Sequence, residues 1–404
     1  MSEISKYIER RVGWLVEITQ AFIRTPSVSG AEGPVAQLLV RVLDEAGLAA
    51  SVDRAGNVVA SLETSRAPGS HQPFAFNVHL DTVPAGPSTS WRYDPFGGEI
   101  TDGKIYGRGA CDTKGAWAPM ILAMEAVRES GVVLNRPVLF TGVVMEELTC
   151  STGMKVLLDE TLSDTRPAYV ILGEPTGLNL AIGHKGRTEI WITTTGKSCH
   201  ASAPANGDNA LYRAAPVIDA VERLAEKLQR QTPDPLFGRS SLAMTDIVCS
   251  PGARNVVPDS TTMYVDYRFL PHETAASVEE RLRQALTLDW VEGQVRIGEQ
   301  EGTTYTGLRF DGKKFMAGFT LDEAHPLVTA ADEAITSIRG ARPSIYRWDF
   351  ATDGSYSAGV LGIPTIGFSP CDERLAHVID EYVEIEAMIM AAKVYAAMIM
   401  KLAG

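Results

Sequence analysis

The amino-acid sequence predicts an α/β fold: a main domain built on a mostly parallel β-sheet, interrupted by an inserted α+β domain. The chain has 404 residues, which is too long for one ordinary core and fits about two domains. Strand-like runs alternate with helical sequence in the first and last parts of the chain, as in parallel α/β sheets. The central part instead has the order βαββαβ, which is typical of a ferredoxin-like unit.

The N-terminal part begins with two predicted helices. Apolar residues recur at helical spacing over residues 4–22, and a second helix over residues 34–46 ends at Gly47. Strand-like runs follow at residues 57–62, 74–80, 138–144 and 169–172, with helical sequence between them at 114–129 and 152–158.

The pattern changes after His184, Lys185 and Gly186. The central elements are predicted as a strand at 190–195, a helix at 209–229, strands at 241–249 and 261–269, a helix at 275–285 and a strand at 294–297. We therefore predict an inserted domain of residues 186–300 and assign residues 1–185 and 301–404 to the main domain. The main domain ends with a helix at 326–338, a strand at 365–368 and a helix at 383–402.

Composition and charge argue against several classes of protein. The net charge of −13 repels phosphate backbones and anionic lipid, so we expect no nucleic-acid partner. No run approaches the roughly 18 consecutive apolar residues that a membrane span needs, and the charged N-terminal segment lacks a signal peptide's apolar core. Five cysteines without CxxC spacing predict reduced thiols and a cytoplasmic protein.

Histidines and carboxylates stand at or just beyond the predicted strand ends. His79 and Asp81 close the second strand, two residues apart and so on the same side of an extended backbone. Glu146 and Glu147 follow the third strand, Glu174 follows the fourth, and His377 lies in the loop after the strand at 365–368. Open α/β sheets bind ligands at the carboxyl ends of their strands, so we expect these side chains to converge on one edge.

Asp112 lies in a glycine-rich turn, residues 106–115, that runs into a helix. The alternative for this turn is a phosphate-binding loop, but the GxxxxGK[ST] spacing is absent from it. Each acidic or histidine motif also has a plainer explanation as polar loop residues, and for Glu146 and Glu147 as a surface pair. Their shared position at strand ends favours a functional site.

Together, two imidazoles and three carboxylates form a nitrogen and oxygen ligand set: His79, Asp112, Glu147, Glu174 and His377. Such a set suits zinc, with cobalt or manganese as possible substitutes. One aspartate bridging two three-ligand sites leaves each ion an open position, and two ions held in this way can activate water and polarise an amide carbonyl.

Seven ordered motifs resemble the acetylornithine deacetylase and succinyl-diaminopimelate desuccinylase family of dizinc metallopeptidases. They are FNVHLDTVP, IYGRGACDTKG, VMEE, GEPT, GKSCHASAP, ARNVVPD and AHVIDE, and the resemblance runs from about Thr25 to Glu381. The segments HKGR and GDNAL are more similar to the acetylornithine deacetylases, whereas residues 351–354 differ from the glycine-rich loop of the desuccinylases.

The resemblance assigns roles to the candidate residues. It implies that His79 and Glu174 hold one zinc ion, that Glu147 and His377 hold the other, and that Asp112 bridges them. Asp81 would orient His79, Glu146 would be the general base, and the peptide bond after Asp112 would be cis. Residues 1–185 and 301–404 would then form the catalytic zinc-binding domain.

The resemblance also implies that the inserted domain is a dimerisation lid. Its His200 would reach the partner subunit's site and stabilise the oxyanion, and Asn255, Arg254 and Arg268 would contact the polar end of the substrate. The alternatives are an exposed loop histidine and solvated surface arginines. The other histidines, His71, His184, His272 and His325, match no motif, and we expect them to be structural or exposed.

The predicted activity is therefore hydrolysis of the amide bond of a small N-acyl amino acid, as in acetylornithine deacetylase. A dipeptidase or carboxypeptidase of the same family is the alternative within the hydrolases, since the same chemistry cleaves a peptide bond. A catalytically silent, metal-binding scaffold is the alternative from another class. A serine hydrolase is disfavoured because the sequence contains no GxSxG motif.

Overall fold

The computed structural model of the chain describes residues 1–63, 72–148, 150–288 and 293–404, and His71 lies outside these ranges. The helices in these ranges are α1 (Ser2–Arg10), α2 (Val12–Ile23), α3 (Gly33–Glu45), α4 (Gly115–Glu129), α5 (Thr152–Val156), α6 (Ala210–Arg230), α7 (Ala275–Leu288), α8 (Pro326–Arg339) and α9 (Ile385–Leu402). None of these helices combines the length and apolar character needed to span a bilayer.

The strands of the main domain before the inserted domain are β1 (Ala50–Val52), β2 (Val58–Leu62), β3 (Phe74–His79), β4 (Ile100–Thr101), β5 (Lys104–Tyr106), β6 (Val138–Val143), β7 (Tyr169–Leu172) and β8 (Leu180–His184). The following strands are β9 (Gly186–Thr195), β10 (Cys199–His200), β11 (Ser241–Ser250), β12 (Val256–Val257), β13 (Ser260–Phe269), β14 (Gln294–Ile297), β15 (Glu299–Thr303), β16 (Arg309–Lys313) and β17 (Phe315–Met316). The last strands are β18 (Phe319–Thr320), β19 (Ile345–Trp348), β20 (Thr365–Gly367) and β21 (Tyr382–Glu384).

The main sheet confirms the predicted α/β fold. Its strands lie in the order β1-β2-β6-β3-β7-β20-β8-β18, with β19 also paired to β8. The four central strands β6, β3, β7 and β20 run parallel to one another, whereas β1, β2, β8 and β18 add antiparallel pairs on the two sides of this group. The carboxyl ends of the four parallel strands therefore meet at one edge of the sheet, as expected for a ligand site.

Helix α4 packs under this sheet and is buried on all sides from Gly115 to Val127. Its sequence explains this, because no charged residue occurs between Gly115 and Met124 and the indole of Trp117 is fully buried. The helix contacts α9 and α2, and its first residue directly follows the turn that carries Asp112. The position of Asp112 is thus tied to the centre of the hydrophobic core.

Two helix predictions were wrong in detail. The predicted helix over residues 4–22 is divided into α1 and α2 by Arg11, which leaves helical geometry with φ −103° and ψ 11°. The Arg11 guanidinium binds Glu125 of α4, which favours this break. The final helix begins at Ile385 and not at Val383, because residues 382–384 form β21 and pair with β5.

The inserted domain folds as a separate antiparallel sheet with the order β11-β13-β9-β14. This is the ferredoxin-like arrangement that the βαββαβ order predicts. Helices α6 and α7 pack on it, and apolar residues that alternate along β9 and β13 form its own hydrophobic core. Strand β11 lies at the edge of this sheet, with Ile247 and Val248 exposed.

The two domains are joined through an antiparallel ribbon of two strands. The first strand passes from β8 through Lys185 into β9, and the second returns from β17 through Ala317 and Gly318 into β18. Met316 pairs with Arg187 and Phe319 pairs with His184, so the register is unchanged across the junction. A side chain at Gly318 would clash with the backbone of Gly186, which explains the glycine. The boundary predicted at residue 300 stays a prediction, although β17 extends the second sheet beyond it.

The cysteines agree with the prediction of reduced thiols, because all five are free. Two of the histidines without a motif have structural roles. His325 caps α8 by accepting a hydrogen bond from the Leu327 amide. His184 is buried at the ribbon, where its Nδ1 donates to the Lys185 carbonyl and its Nε2 accepts from the Thr352 amide. His272 is exposed.

We predict that His184 makes the free energy of unfolding decrease as the pH is lowered from about 7 to about 5. Burial lowers the pKa of His184 to about 4, so the unfolded chain binds the proton first as the pH falls below about 6.5. Its contribution is present above pH 6.5 and is lost towards pH 4, amounting to about 2 kcal/mol by about pH 5. Urea unfolding at about pH 7 and pH 5 measures this loss, which should be smaller in His184→Gln and unchanged in the exposed control His272→Gln. An equal loss in wild type and His184→Gln would contradict the assignment.

Candidate metal centre

The first cluster consists of His79, Asp112 and Glu174. His79 Nε2 lies 2.8 Å from Asp112 Oδ1 and 3.9 Å from Glu174 Oε1. All three side chains are buried, with His79 only 1% exposed. His79 ends β3 and Glu174 follows the neighbouring strand β7, so the parallel pairing of these strands brings them together.

The second cluster consists of Asp112, Glu147 and His377. His377 Nε2 lies 3.1 Å from Asp112 Oδ2 and 3.1 Å from Glu147 Oε1. Asp112 thus uses one carboxylate oxygen in each cluster. The side chain of His377 is 51% exposed, which makes this cluster the more open one. The Asp112–Thr113 peptide bond is cis, which confirms the prediction.

The two clusters fit a pair of divalent cations. Within each cluster the ligand atoms lie within 4.8 Å of one another, and the four histidine-to-carboxylate distances are at most 3.9 Å. Donors that share one zinc ion at about 2.0 to 2.2 Å cannot be more than about 4.4 Å apart, so these spacings are suitable. The donors are imidazole nitrogens and carboxylate oxygens, which zinc, cobalt and manganese all accept.

The hydrogen bond on the other ring nitrogen of His79 fixes its tautomer. Nδ1 lies 2.9 Å from the backbone carbonyl oxygen of Asp81, which can only accept, so Nδ1 carries the proton. Nε2 is therefore the nitrogen that faces Asp112 with a lone pair available for a cation.

Besides His79, Asp81 contacts several other residues of the site. Its carboxylate is 3.7 Å from His79 Nδ1, but it accepts hydrogen bonds from the backbone amides of Glu146 and Glu147, both at 3.1 Å. The Ser29 hydroxyl donates a third bond at 2.7 Å. Asp81 therefore fixes the turn Glu146–Leu148 relative to the metal-ligand cluster.

Crowding of carboxylates dominates the electrostatics of the site. Burial and the like charge of Glu174 raise the pKa of Glu146 well above its usual range, and burial with Asp112 does the same for Glu174. The Asp112 and Glu147 carboxylates raise the pKa of His377 to about 10. For His79, burial lowers the pKa, but Asp112 and Asp81 outweigh it and the net shift is upwards. The side chains that surround both clusters thus favour positive charge between them.

Both clusters open into one cavity of about 500 Å³. Glu146 is half-buried and lines this cavity together with Asp112, Glu147, Glu174 and His377. The remaining lining residues are Val83, Arg187, Arg268, Phe350, Ala351, Glu373 and Ala376. The cavity therefore combines the predicted metal ligands, the predicted base, two guanidinium groups and a small apolar surface.

Of the predicted substrate-binding residues, Arg268 lies in this cavity. Its Nε donates to Asp266 at 2.7 Å. Arg254 and Asn255 are exposed in the inserted domain and are not among the residues that line the cavity in the described part of the chain. His200 is also exposed, and its ring contacts the Ser202 hydroxyl at 2.7 Å. The roles predicted for these three residues stay predictions.

Sequence reasoning missed several residues that belong to the site. Arg187 pairs in register with Arg268 and shares Asp266 with it, so both guanidiniums reach the cavity. Asp353 is buried at the ligand cluster and accepts a hydrogen bond from Asn77 at 3.0 Å. Glu373 and Glu381 come from the loop that carries His377. Arg187 lies in the motif HKGR and Glu381 in the motif AHVIDE, so these motifs could have indicated both residues.

The α/β fold and the two clusters, which lie at the carboxyl edge of the sheet and could each hold a metal ion, are those of a metallohydrolase. The chain matches peptidase family M20/M25/M40 over residues 75–401 and belongs to this family.

Relatives with similarity along most of the chain agree with this family. The chain is 29% identical over 378 residues to the uncharacterised Escherichia coli protein YgeY, covering 93% of this chain and 91% of that protein. It is 31% identical over 393 residues to a succinyl-diaminopimelate desuccinylase of Ruegeria pomeroyi, covering 94% and 96%. The crystal structure of an M20 family metallo-carboxypeptidase from Sulfolobus solfataricus superposes with a TM-score of 0.75 at 17% identity, covering 96% and 98%, which shows the shared fold.

Proposed function

We propose that the protein removes the acyl group from a small N-acyl amino acid by hydrolysis of its amide bond. The observation that carries this proposal is the position of Glu146. This carboxyl lines the same cavity as two metal-ligand clusters that share Asp112. A site that only stored or displayed metal would have no use for a further carboxyl beside the ligands.

His79, Asp112, Glu147, Glu174 and His377 would hold two divalent cations, whose Lewis acidity would polarise the amide carbonyl and lower the pKa of a water molecule. Glu146 accepts the proton of the attacking water and delivers it to the leaving nitrogen. Asp81 holds the backbone of Glu146 and so keeps its carboxyl in the cavity. Phe350, Val83 and Ala376 form apolar parts of the cavity wall.

We predict that Glu146→Gln binds two zinc ions but loses about 10² to 10⁴ in kcat, the usual contribution of a general base. The amide preserves the shape of the side chain and removes the proton acceptor. The measurements are zinc content by atomic emission and turnover of an N-acetyl amino acid. The matched control is Glu323→Gln on the surface, which should keep full activity. Chelated wild-type protein should be inactive and recover with zinc.

Near-normal turnover of Glu146→Gln with full zinc content would show that another group is the base. Wild-type protein that binds zinc and hydrolyses no amide substrate would favour the scaffold alternative.

The charges of the cavity support an amino-acid substrate with a cationic side chain. Arg187 and Arg268 both remain partly exposed while bound to Asp266, so each has further N–H groups for a substrate carboxylate. The cavity lining also contains Glu373, an exposed carboxylate whose charge is opposite to that of the two arginines. The neighbouring Arg374 binds Asp372, and the Tyr346 hydroxyl donates a 3.3 Å hydrogen bond to Glu373. Glu373 is thus available for a substrate ammonium group.

We predict that the enzyme prefers N-acetylornithine to N-acetylnorleucine, in which a methyl group replaces the ammonium. Glu373→Gln should lower kcat/KM for N-acetylornithine by about 10- to 100-fold, the worth of a charge-assisted hydrogen bond, and leave N-acetylnorleucine unchanged. The matched control is Asp349→Asn, which removes an exposed charge near Glu373 that is not in the lining.

The same assay should include N-formyl, N-carbamoyl and N-succinyl amino acids and dipeptides. Equal losses for both N-acetyl substrates would contradict the role of Glu373. Faster hydrolysis of dipeptides than of every N-acyl amino acid would favour the dipeptidase or carboxypeptidase alternative.

We further propose that the protein is a homodimer through the inserted domain, in which His200 serves the partner's site. Two features support this. Exposed apolar side chains lie on α6 and on the edge strand β11, including Tyr212, which is 77% exposed, and Val248, which is 51% exposed. An unpaired sheet edge with apolar residues is well suited to association. His200 is exposed and lies outside the cavity lining of its own chain.

We predict that two inactive variants, Glu146→Ala and His200→Ala, restore activity when they are refolded together. In a mixed dimer one site lacks both groups and the other site has both. Random exchange makes about half of the dimers mixed, so about one quarter of all sites should regain activity. Turnover is compared with each variant refolded alone. If subunit exchange is demonstrated and activity stays at the level of the single variants, His200 does not act across the interface.

A further inference from the structure

Glu381 connects the loops that carry two of the predicted metal ligands. Its Oε1 accepts hydrogen bonds from the backbone amides of Cys111 and Asp112, at 2.7 and 3.0 Å. Its own carbonyl accepts from the Gly107 amide at 2.9 Å. The side chain has no exposed surface. One residue from the His377 loop therefore closes the turn that carries Asp112.

Arg108, which lies before the Asp112 turn, contacts both Glu381 and the backbone of the His377 loop. Its Nη1 lies 2.6 Å from Glu381 Oε2 and donates to the Val378 carbonyl at 3.2 Å. The side chain of Arg108 is only 5% exposed and lies over the ring of Trp91 at 5.1 Å. Val378 is the residue after His377, so Arg108 reaches the backbone beside that ligand.

The backbone explains why the His377 loop needs this support. His377 and Asp380 have φ values of +62° and +58°, a region that residues other than glycine seldom adopt without surrounding contacts. On its far side the Asp380 carboxylate accepts a hydrogen bond from the Arg92 amide at 2.7 Å, and the loop then enters the three-residue strand β21, which pairs with β5. By contrast, His79 belongs to the central strand β3, which is paired on both sides. The two clusters therefore differ in how firmly their histidines are held.

We propose that Arg108 and Glu381 form a positioning pair that sets the second cluster, Asp112, Glu147 and His377, relative to the first. The pair fixes the turn of the shared Asp112 and the loop of His377 together. Loss of the pair then weakens the second cluster most, because the first cluster keeps His79 and Glu174 at the ends of sheet strands. A pair that served only the stability of the fold would affect both clusters alike or neither.

Stepwise zinc binding tests this inference, with zinc chloride as the probe and a chromophoric chelator as competitor. We expect Arg108→Met and Glu381→Gln to lower the affinity of one zinc step by about 10- to 100-fold, the usual effect of removing a group that orients ligands. The other step should change less than about threefold. Arg108→Lys keeps the charge beside Glu381 but cannot hold both partners in the same way, and it should give an intermediate loss.

Arg11→Met is the matched control, because it removes an ion pair of similar length, Arg11 to Glu125 at 3.1 Å, in the same domain but among α2 and α4. It should lower the melting temperature and leave both zinc steps unchanged. His377→Ala identifies the second step, since it removes a ligand from that cluster alone. If Glu381→Gln does not fold, Arg108→Lys decides the question.

Equal weakening of both steps, or no change in either, would overturn the positioning role. The inference rests on the proposed metal site, and wild-type protein that binds fewer than two zinc ions would overturn that site itself. The two failures are therefore distinct. The zinc measurement does not depend on any substrate, so it also stands apart from the proposed amide hydrolysis.

Discussion

Mutual repulsion among buried carboxylates is the constraint on which the site depends. Asp112, Glu146, Glu147, Glu174 and Asp353 meet at one edge of the sheet, and burial raises the pKa of Asp353 to about 6. Two imidazoles cannot balance so many acidic groups in a poorly solvated region. The arrangement is stable when cations lie between the carboxylates, and the spacing of the donors provides the places for them.

The parallel strands bring together side chains that are far apart in the sequence. His79, Glu147 and Glu174 end or follow the buried strands β3, β6 and β7, and the parallel pairing of these strands brings the three side chains to one edge. The hydrophobic residues of β3 and β6, which are buried along their whole length, hold the strands in register. Asp112 and His377 come instead from a turn and a loop at the same edge, and hydrogen bonds to Glu381 and Arg108 hold their backbone there.

The sequence was sufficient for the fold and for three of the five candidate ligands because these depend on local patterns, whereas Asp112 and His377 were assigned through the family resemblance. His79, Glu147 and Glu174 stand within four residues of a strand end, and parallel pairing is a general rule. Arg187 was missed because it is a strand residue that only the register with Arg268 places at the cavity. The break at Arg11 was missed because apolar periodicity continues across it, while the Arg11 side chain binds Glu125 of α4, more than 100 residues away in the sequence. The partners of Asp81 are likewise backbone amides that no side-chain pattern reveals.

The two-stranded ribbon between the domains has a consequence for movement. A ribbon of two strands bends and twists more easily than a wide sheet, so rotation of the inserted domain would be centred near Lys185 and Gly318. A rotating body displaces each residue in proportion to its distance from the pivot. Arg187 lies beside the pivot and would stay at the cavity throughout. His200 lies beyond the far end of β9, roughly 30 Å along the strand, so a turn of a few degrees would carry it through several times the displacement of Arg187. Such a rotation would therefore change the position of His200 while leaving Arg187 nearly in place.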